Sequence, residues 1–333
     1  MSKEKLILAI DKNNWNEAFE LCREVKENVG LFKLGLEFFL SFGSEGVNKI
    51  AELGVPIFLD LKLHDIPNTV SKAATALISK INGVSIFTLH ASGGKKMLET
   101  TNNALKEACL NLQKTKPQIF GITVLTSTQG EQDSWEGSLV LFPFAMVVMR
   151  ALNTIKKLKE KNDEKLQFAY QKLITMVKSC NDSLGYWSNL YEAEELRITL
   201  ANKALLEDEN VKHLNLELKS NVGKPSFYSQ NQGFGIINDV VHFASNASES
   251  GIEGIVCSAL EIALVKTFFP NLKIITPGIR PSWYSKKDDQ SRVATPSEAI
   301  KLGADYFVIG RPITESSDPK KALIQTLEEL GER

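Results

Sequence analysis

The sequence has few of the features that mark disulfide-rich, zinc-binding or membrane-spanning proteins. Its 333 residues include 4 cysteines, which lie far apart and form no Cys-x-x-Cys pair. Thiols scattered in this way argue against structural zinc and favour a reducing cytosol over a disulfide framework. The longest apolar stretch, residues 139–149, is shorter than the roughly 20 residues of a transmembrane helix, so we interpret it as a buried helix or strand.

Net charge is also nearly absent. The chain has 39 Lys and Arg against 40 Asp and Glu, a formal net charge of −1. This balance gives no reason to expect a nucleic acid or an anionic membrane as partner, so an anionic ligand must be bound by a few well-placed cations. The 4 histidines show no metal-ligand spacing, and structural roles are predicted for His64 and His90. The first apolar run meets Asp11 almost at once, which favours a first strand over a signal peptide. The sequence therefore predicts a cytoplasmic protein.

Eight short apolar runs alternate with stretches of helical spacing. Near-continuous runs rich in β-branched residues are typical of strands buried on both faces of a parallel sheet. Helical spacing separates most of them, as in residues 15–25, 46–53 and 70–78. Eight alternations of strand and helix predict the α/β class and a (β/α)8 TIM barrel, whose functional residues lie at the carboxyl ends of the strands. The predicted strands are residues 6–11, 31–35, 56–62, 83–90, 118–127, 251–259, 272–280 and 305–314.

One connection is too long for a plain barrel. The gap between Ser127 and Gly251 is well over 100 residues, far beyond an ordinary βα connection. We therefore predict a barrel built from residues 1–130 and 231–333, and a mostly helical insertion at 131–230 in the loop after strand five. Residues 236–251 would supply the fifth barrel helix. The insertion carries no visible catalytic motif, and its role as inert expansion, interaction surface or oligomerisation element stays open.

A cluster of charged residues follows the third predicted strand. Asp60 and Lys62 are two residues apart on a strand and therefore share a face, and Asp65 follows in the turn. Lys33 and Asp11 end strands two and one and add to the same rim. A structural ion network is one interpretation, since buried charges are costly unless they are paired. The position at the carboxyl-terminal rim of a barrel favours catalysis instead.

This array has a definite chemical use. Asp60 and Asp65 would hold Lys62 charged and fixed, ready to protonate a carbanion at a set place. A carboxylate beside a substrate carboxylate would favour loss of that group as CO2. Preorganised charge of this kind needs no metal and no organic cofactor.

The last two predicted strands end in cations suited to phosphate. Arg280 follows strand seven, Gly310 and Arg311 follow strand eight, and Gln290 lies in the loop between them. The loops after strands seven and eight often bind phosphate in such barrels. Gly310 would let the backbone approach an anion, and Arg311 would contact it through two donors.

Together these residues resemble the orotidine 5′-monophosphate decarboxylase family. The resemblance runs in order over residues 5–130 and 231–330. The D-x-K-x-x-D core is shared with related sugar-phosphate decarboxylases, whereas HDIPNT followed by TPGIRP and VIGRPIT is much more specific to the nucleotide enzyme. The matching segments are LAID, KLG, DLKLHDIPNTV, HASGG, TVLTS, GIVCSA, TPGIRP, DDQ at 288–290 and ADYFVIGRPIT.

The resemblance implies cofactor-independent decarboxylation of orotidine 5′-phosphate to uridine 5′-phosphate in de novo pyrimidine synthesis. It implies that Lys62 protonates C6 and that Asp60 lies beside the departing carboxylate. It also implies an obligate homodimer with shared active sites, in which Asp65 and Thr69 reach into the partner's site. The implied substrate contacts are Asp11 and Lys33 to ribose, Thr126 or Ser127 to the pyrimidine edge, and Arg280, Gln290, Gly310 and Arg311 to phosphate. The long connection after strand five departs from the family, whose members usually cross in far fewer residues.

Two other functions remain open. The first is a metal-using 3-keto sugar-phosphate decarboxylase or hexulose-phosphate synthase on the same barrel. In that group the strand-two position is usually acidic, so Lys33 argues against it. The second is a barrel without catalysis that serves as a scaffold through its insertion, against which the intact set of charged rim residues counts.

Overall fold

The chain forms a closed barrel of eight parallel strands. The computed structural model describes residues 3–125, 234–285 and 293–331. Each strand pairs with its neighbours in chain order and β8 pairs with β1, so the sheet has no open edge. This confirms the predicted (β/α)8 TIM barrel. The strands are β1 Leu6–Ala9, β2 Leu31–Gly35, β3 Ile57–Leu63, β4 Val84–His90, β5 Gln118–Ile122, β6 Gly254–Val256, β7 Lys273–Thr276 and β8 Tyr306–Ile309.

Helices alternate with these strands. Pro67 is the first residue of α3, where its missing N–H costs no helical hydrogen bond, so the helix begins just before the predicted start at Asn68 or Thr69. Helix α2 begins well before residue 46, and Gly43 interrupts its helical backbone with φ 60°. In the described residues the helices are α1 Trp15–Val25, α2 Leu36–Ala51, α3 Pro67–Lys80, α4 Gly94–Asn111, α5 Phe234–Glu249, α6 Ile262–Phe268, α7 Pro296–Leu302, α8 Arg311–Thr314 and α9 Pro319–Glu329.

Apolar side chains from all eight strands fill the barrel interior. Residues two apart on a strand share a face. A residue that points into the barrel is therefore followed, two positions later, by another that points inward and lies nearer the carboxyl-terminal mouth. Phe58 precedes Asp60 in this way on β3, and Ala9 precedes Asp11 after β1. The interior is therefore apolar below and charged at its carboxyl-terminal end. The packed cluster comprises Ile7, Ala9, Leu31, Phe58, Ile86, Phe120, Ile122, Val256, Ile275 and Val308.

The predicted insertion at 131–230 lies outside the described residues. The chain divides into two compact units, residues 1–128 with 243–333 and residues 129–242, and the first of these contains the barrel. Helix α5 occupies the place predicted for the fifth barrel helix, and its Ala244 and Ala247 are buried. The helical character and the exact limits of the insertion stay predictions.

Candidate active site

A cavity of about 250 Å³ opens at the carboxyl-terminal mouth of the barrel. Its floor is apolar and includes Phe58, Ile122, Val256 and Val308, which also belong to the barrel core. Its walls carry both signs of charge. Seven predicted site residues line it together, namely Asp11, Lys33, Asp60, Lys62, Arg280, Gly310 and Arg311. The sequence reasoning missed the apolar floor, although strand alternation back from Asp60 to Phe58 was a usable signal.

Strand β3 leaves regular pairing where it carries the charged residues. Leu59 pairs with Phe87 and Leu63 pairs with Leu89, so three residues of β3 face only Thr88 of β4. Such a bulge re-aims side chains and is frequent next to active sites. Within it Lys62 has φ 51°, a conformation unfavourable for a residue with a Cβ. The lysine side chain therefore owes its direction to a local distortion and not to simple strand alternation.

Asp60 lies between two lysines in a largely buried position. Its Oδ2 lies 2.6 Å from Nζ of Lys62 and 3.8 Å from Nζ of Lys33. Nζ of Lys33 also lies 3.2 Å from Oδ1 of Asp11. The side chain of Asp60 is 8% exposed, whereas that of Lys62 is 28% exposed towards the cavity that it lines. The four residues form an alternating chain of negative and positive groups, with Asp11 at one end and Lys62 at the other.

The charges in this chain stabilise one another. Burial by itself raises the pKa of the Asp60 carboxyl, but the charges of Lys33 and Lys62 and hydrogen bonds from Lys62 and Thr88 hold that pKa below its usual value. Burial by itself lowers the pKa of the Lys33 ammonium, but the carboxylates of Asp60 and Asp11 hold it above its usual value. Asp60 and Lys33 are therefore both ionised at neutral pH.

The sequence reasoning did not identify Thr88. This fully buried residue on β4 donates its hydroxyl hydrogen to Oδ1 of Asp60 at 2.9 Å and accepts the backbone N–H of Lys62 at 3.0 Å. Its sequence context, an apolar strand, carried no signal of this contact. Only the pairing of β3 with β4 brings the hydroxyl to the cluster.

Asp65 and Thr69 are not part of the cavity in their own chain. Both are exposed, and Oδ1 of Asp65 accepts the backbone N–H of Ile66 at 2.6 Å. Within the described part of the chain Asp65 forms no ion pair with Lys62, so the expected contact within one chain is absent and the catalytic role of Asp65 stays a prediction. Asp65 lies on the short turn between β3 and α3 and does not line the cavity.

The second charged group of the cavity lies across the mouth from β3. Arg280 follows β7, which is diametrically opposite β3 in an eight-stranded ring, and Arg311 follows β8. Arg280 stacks on Tyr284, with the guanidinium carbon 5.9 Å from the ring centroid. Gly310 lies against Ala9, since a Cβ at residue 310 would stand 3.4 Å from Cβ of Ala9. The two arginines bring positive charge to the cavity from strands other than those that carry the lysine cluster.

Three predicted contacts, Thr126, Ser127 and Gln290, lie outside the described residues. The histidines near the strand ends, His64 and His90, have their rings 5.4 Å apart. Burial, together with the charges of His64 and Lys62, lowers the pKa of His90.

Among the described residues no group of three His, Cys, Asp or Glu is placed to hold a metal ion. No described helix is long and apolar enough to cross a membrane.

This geometry suits a substrate with an anionic tail and a reacting group that takes up a proton. The arginines would bind the tail on one side, and the apolar floor would accommodate a flat, uncharged body. On the other side an ammonium group with a fixed carboxylate neighbour faces the cavity.

Comparison with known proteins identifies the family. A model of the orotidine 5′-phosphate decarboxylase / HUMPS family matches residues 4–140 and 153–325. Orotidine 5′-phosphate decarboxylase of Wolbachia sp. subsp. Brugia malayi is 34% identical over 327 residues, 98% of this chain and 99% of that protein. The protein of the same name from Syntrophomonas wolfei is 30% identical over 332 residues, 99% of each chain.

A solved structure shows the same fold. The crystal structure of orotidine 5′-phosphate decarboxylase from Lactobacillus acidophilus superposes with a TM-score of 0.57 at 24% identity, covering 98% of this chain and 99% of that one. At this identity the likeness supports the barrel alone. The family match covers most of the sequence, and the relatives align over nearly all of it at 30% identity or more. The chain therefore belongs to the orotidine 5′-phosphate decarboxylase / HUMPS family.

Proposed function

We propose that this chain decarboxylates orotidine 5′-phosphate to uridine 5′-phosphate and CO2 in de novo pyrimidine synthesis. The observation that carries the proposal is the contact between Lys62 and Asp60, 2.6 Å apart beside a cavity whose far side holds two arginines. A proton donor, a carboxylate beside it and a phosphate subsite are the groups that this reaction needs. The relatives that align over nearly the whole chain carry the name of that activity.

The reaction breaks the bond between C6 of the pyrimidine and its carboxylate carbon. The electron pair of that bond stays on C6, and CO2 departs as a neutral molecule. Lys62 donates a proton from its ammonium group to C6 and regains one from solvent. One substrate and one proton thus become one product and CO2, and no cofactor takes part.

Asp60 favours this step by its charge and by its fixed position. Its carboxylate is nearly buried and held from both sides, so it cannot turn away from an incoming substrate carboxylate. Two carboxylates brought together repel each other, and the repulsion disappears when one of them leaves as CO2. The ammonium of Lys62 is attracted to the carbanion that forms, so its stabilisation is greatest in the transition state.

The remaining groups anchor the nucleotide. Arg280, Gly310 and Arg311 bind the phosphate, with Gln290 closing over it, and Asp11 with Lys33 binds the ribose hydroxyls. Thr126 or Ser127 meets the pyrimidine edge above the apolar floor. Binding energy gained at the phosphate holds the base where Lys62 reaches C6.

The proposed assembly is a cytoplasmic homodimer with shared active sites. Asp65 on the β3–α3 turn and Thr69 in the first turn of α3 are both exposed, where they would reach a partner's cavity. Apolar side chains lie exposed near this rim: Ile66 is 64% exposed, and Leu36 and Leu40 at the start of α2 are 49% and 81% exposed. A second copy covering them would remove apolar area from water, which stabilises association.

The deciding experiment follows the absorbance of orotidine 5′-phosphate with the parent protein and with Lys62→Ala. We expect the parent to consume the substrate and the variant to lose about 10³-fold in kcat, the scale of general acid catalysis. Lys95→Ala is the matched control, since Lys95 is a surface lysine paired with Glu249, and it should keep the parent rate. A Lys62→Ala variant with near-parent turnover would refute the mechanism.

The same assay separates the two alternative functions. A metal-using sugar-phosphate decarboxylase would lose activity in the presence of a chelator, whereas the proposed reaction is unaffected by it. A scaffold barrel would leave orotidine 5′-phosphate unchanged. Failure of the purified parent to consume this substrate would contradict the proposed function, and a sugar phosphate offered as substrate would then separate the other enzyme from the scaffold.

A further inference from the structure

Thr88 occupies the centre of the β3 bulge, below the charged cluster. It is fully buried and does not line the cavity, so it cannot touch a substrate. It is also the one residue of β4 that faces the three residues Asp60, Leu61 and Lys62 of β3. Thr88 therefore lies against the segment of β3 that contains Asp60 and Lys62.

The direction of the two hydrogen bonds at Thr88 follows from the donors available. The backbone N–H of Lys62 can only donate, so the hydroxyl oxygen accepts it at 3.0 Å. The single hydroxyl hydrogen is then free for Oδ1 of Asp60 at 2.9 Å. One hydroxyl thus joins the backbone of the proton donor to the carboxylate beside it.

These bonds fix two orientations at once. With Oδ1 of Asp60 held by Thr88, the other oxygen, Oδ2, is turned towards Lys62 and Lys33. The bond to the backbone N–H supports Lys62 in its unfavourable φ of 51°. Without the hydroxyl, the carboxylate can rotate, and the backbone loses the partner that holds the bulge.

We propose that Thr88 is a positioning residue, whose hydroxyl orients both Asp60 and Lys62 for the proton transfer. The inference deepens the proposed function and rests on it. Thr88 acts through these two residues and makes no hydrogen bond to the residues proposed for the phosphate subsite. Its loss should therefore lower the rate of chemistry more than the binding of the nucleotide.

Two substitutions separate the hydroxyl from the shape of the side chain. Thr88→Val keeps the branched shape and removes the hydroxyl, and Thr88→Ser keeps the hydroxyl. We expect Thr88→Val to lower kcat by about 10²-fold, the effect of misplacing a reacting group by an ångström, with little change in KM. Thr88→Ser should restore most of kcat. Thr326→Val is the control, because Thr326 is another fully buried threonine whose hydroxyl donates to a carbonyl, that of Ala322 on α9.

A measurement without substrate keeps this proposal separate from the proposed function. The carboxyl of Asp60 is titrated by ¹³C NMR in protein labelled at aspartate, with Asp60→Asn to assign the signal. Loss of the hydrogen bond should raise the pKa of Asp60 in Thr88→Val, and Thr88→Ser should return it to the parent value. This shift is expected whether or not orotidine 5′-phosphate is the substrate.

The results of these experiments either support or overturn the proposed role of Thr88. A folded Thr88→Val with parent kcat and an unchanged Asp60 titration overturns the proposal. If Thr88→Val does not fold, Thr88→Cys takes its place, since a thiol fits the site but donates weakly. A cysteine variant with the parent kcat and titration overturns the proposal equally, and a reduced kcat with a raised pKa supports it.

Discussion

Nζ of Lys33 on β2 lies 3.8 Å from Oδ2 of Asp60 on β3, the oxygen that Lys62 also contacts. The buried carboxylate therefore has two cationic partners. In the proposed reaction Lys62 becomes neutral when it gives up its proton, and Lys33 then keeps Asp60 paired. In this proposal Lys33 keeps the carboxylate of Asp60 paired, and Lys62 donates the proton.

Replacing Asp60 by asparagine is expected to destabilise the fold in a pH-dependent way. At neutral pH Asp60→Asn leaves two ammonium groups facing each other, and breaking a buried ion pair costs about 3–5 kcal/mol. The pKa of Asp60 is below its usual value in the fold. Its ionisation therefore stabilises the protein above the unfolded pKa of about 3.9, and the stabilisation is lost as the pH falls through the folded value.

The difference in free energy of unfolding between parent and Asp60→Asn should therefore shrink below about pH 4. Urea unfolding at several pH values measures it. Glu20→Gln is the control, because Glu20 forms an exposed ion pair with Arg23 and should change stability by less than about 1 kcal/mol. An Asp60→Asn difference that stays constant down to the acid limit of folding contradicts this account.

Arg311→Ala should weaken binding of the substrate's phosphate group. A hydrogen bond to a charged group contributes about 1.5–3 kcal/mol, so kcat/KM for orotidine 5′-phosphate should fall by about 10². The nucleoside orotidine lacks the phosphate, and its slow turnover should be the same in parent and variant. Arg23→Ala, on the exposed face of α1, is the matched control. A variant that slows the nucleoside as much as the nucleotide would place Arg311 in another role.

Mixed dimers test whether Asp65 serves the partner's site. Lys62→Ala and Asp65→Ala homodimers should both be nearly inactive. A heterodimer purified through two different tags would then hold one site with both changes and one intact site. Its expected activity is about half that of the parent dimer, because closed two-fold assemblies carry two equivalent sites. A heterodimer as inactive as both homodimers would assign Asp65 to its own chain, and an active Asp65→Ala homodimer would remove it from catalysis.

Deleting residues 131–230 with a short linker in their place should leave a folded barrel. All eight strands pair through residues outside this segment, including β5 with β6, which flank it. We expect the deletion variant to unfold cooperatively, which circular dichroism followed during urea unfolding measures. Loss of the cooperative transition would show that the segment is integral to the fold.

The strands could be located from the sequence because their signal is local. The run at 31–35 coincides with β2, whereas the run at 118–127 extends beyond β5, which ends at Ile122. Apolar residues that leave a strand and enter a βα loop look the same in sequence as residues within the strand. Five strand ends, those of β1, β5, β6, β7 and β8, were therefore predicted too late.

The charged rim could be predicted because the barrel puts every strand's carboxyl end at one mouth. Asp11, Lys33, Asp60 and Lys62 meet in one cavity for that reason. A contact of Asp65 with Lys62 in the same chain was expected and is absent, because closeness in sequence does not determine where a turn directs a side chain. Asp65 is exposed on the turn and does not line the cavity.

The sequence by itself determined the barrel, the order of its strands and which residue types reach its mouth, since these follow from periodicity and chain order. The tertiary structure alone decided how those residues pair. The bulge in β3, the φ of Lys62 and the contact of Thr88 with Asp60 arise from the register between two strands. The register between two strands brings together residues that are distant along the chain, and it cannot be predicted from a local sequence pattern.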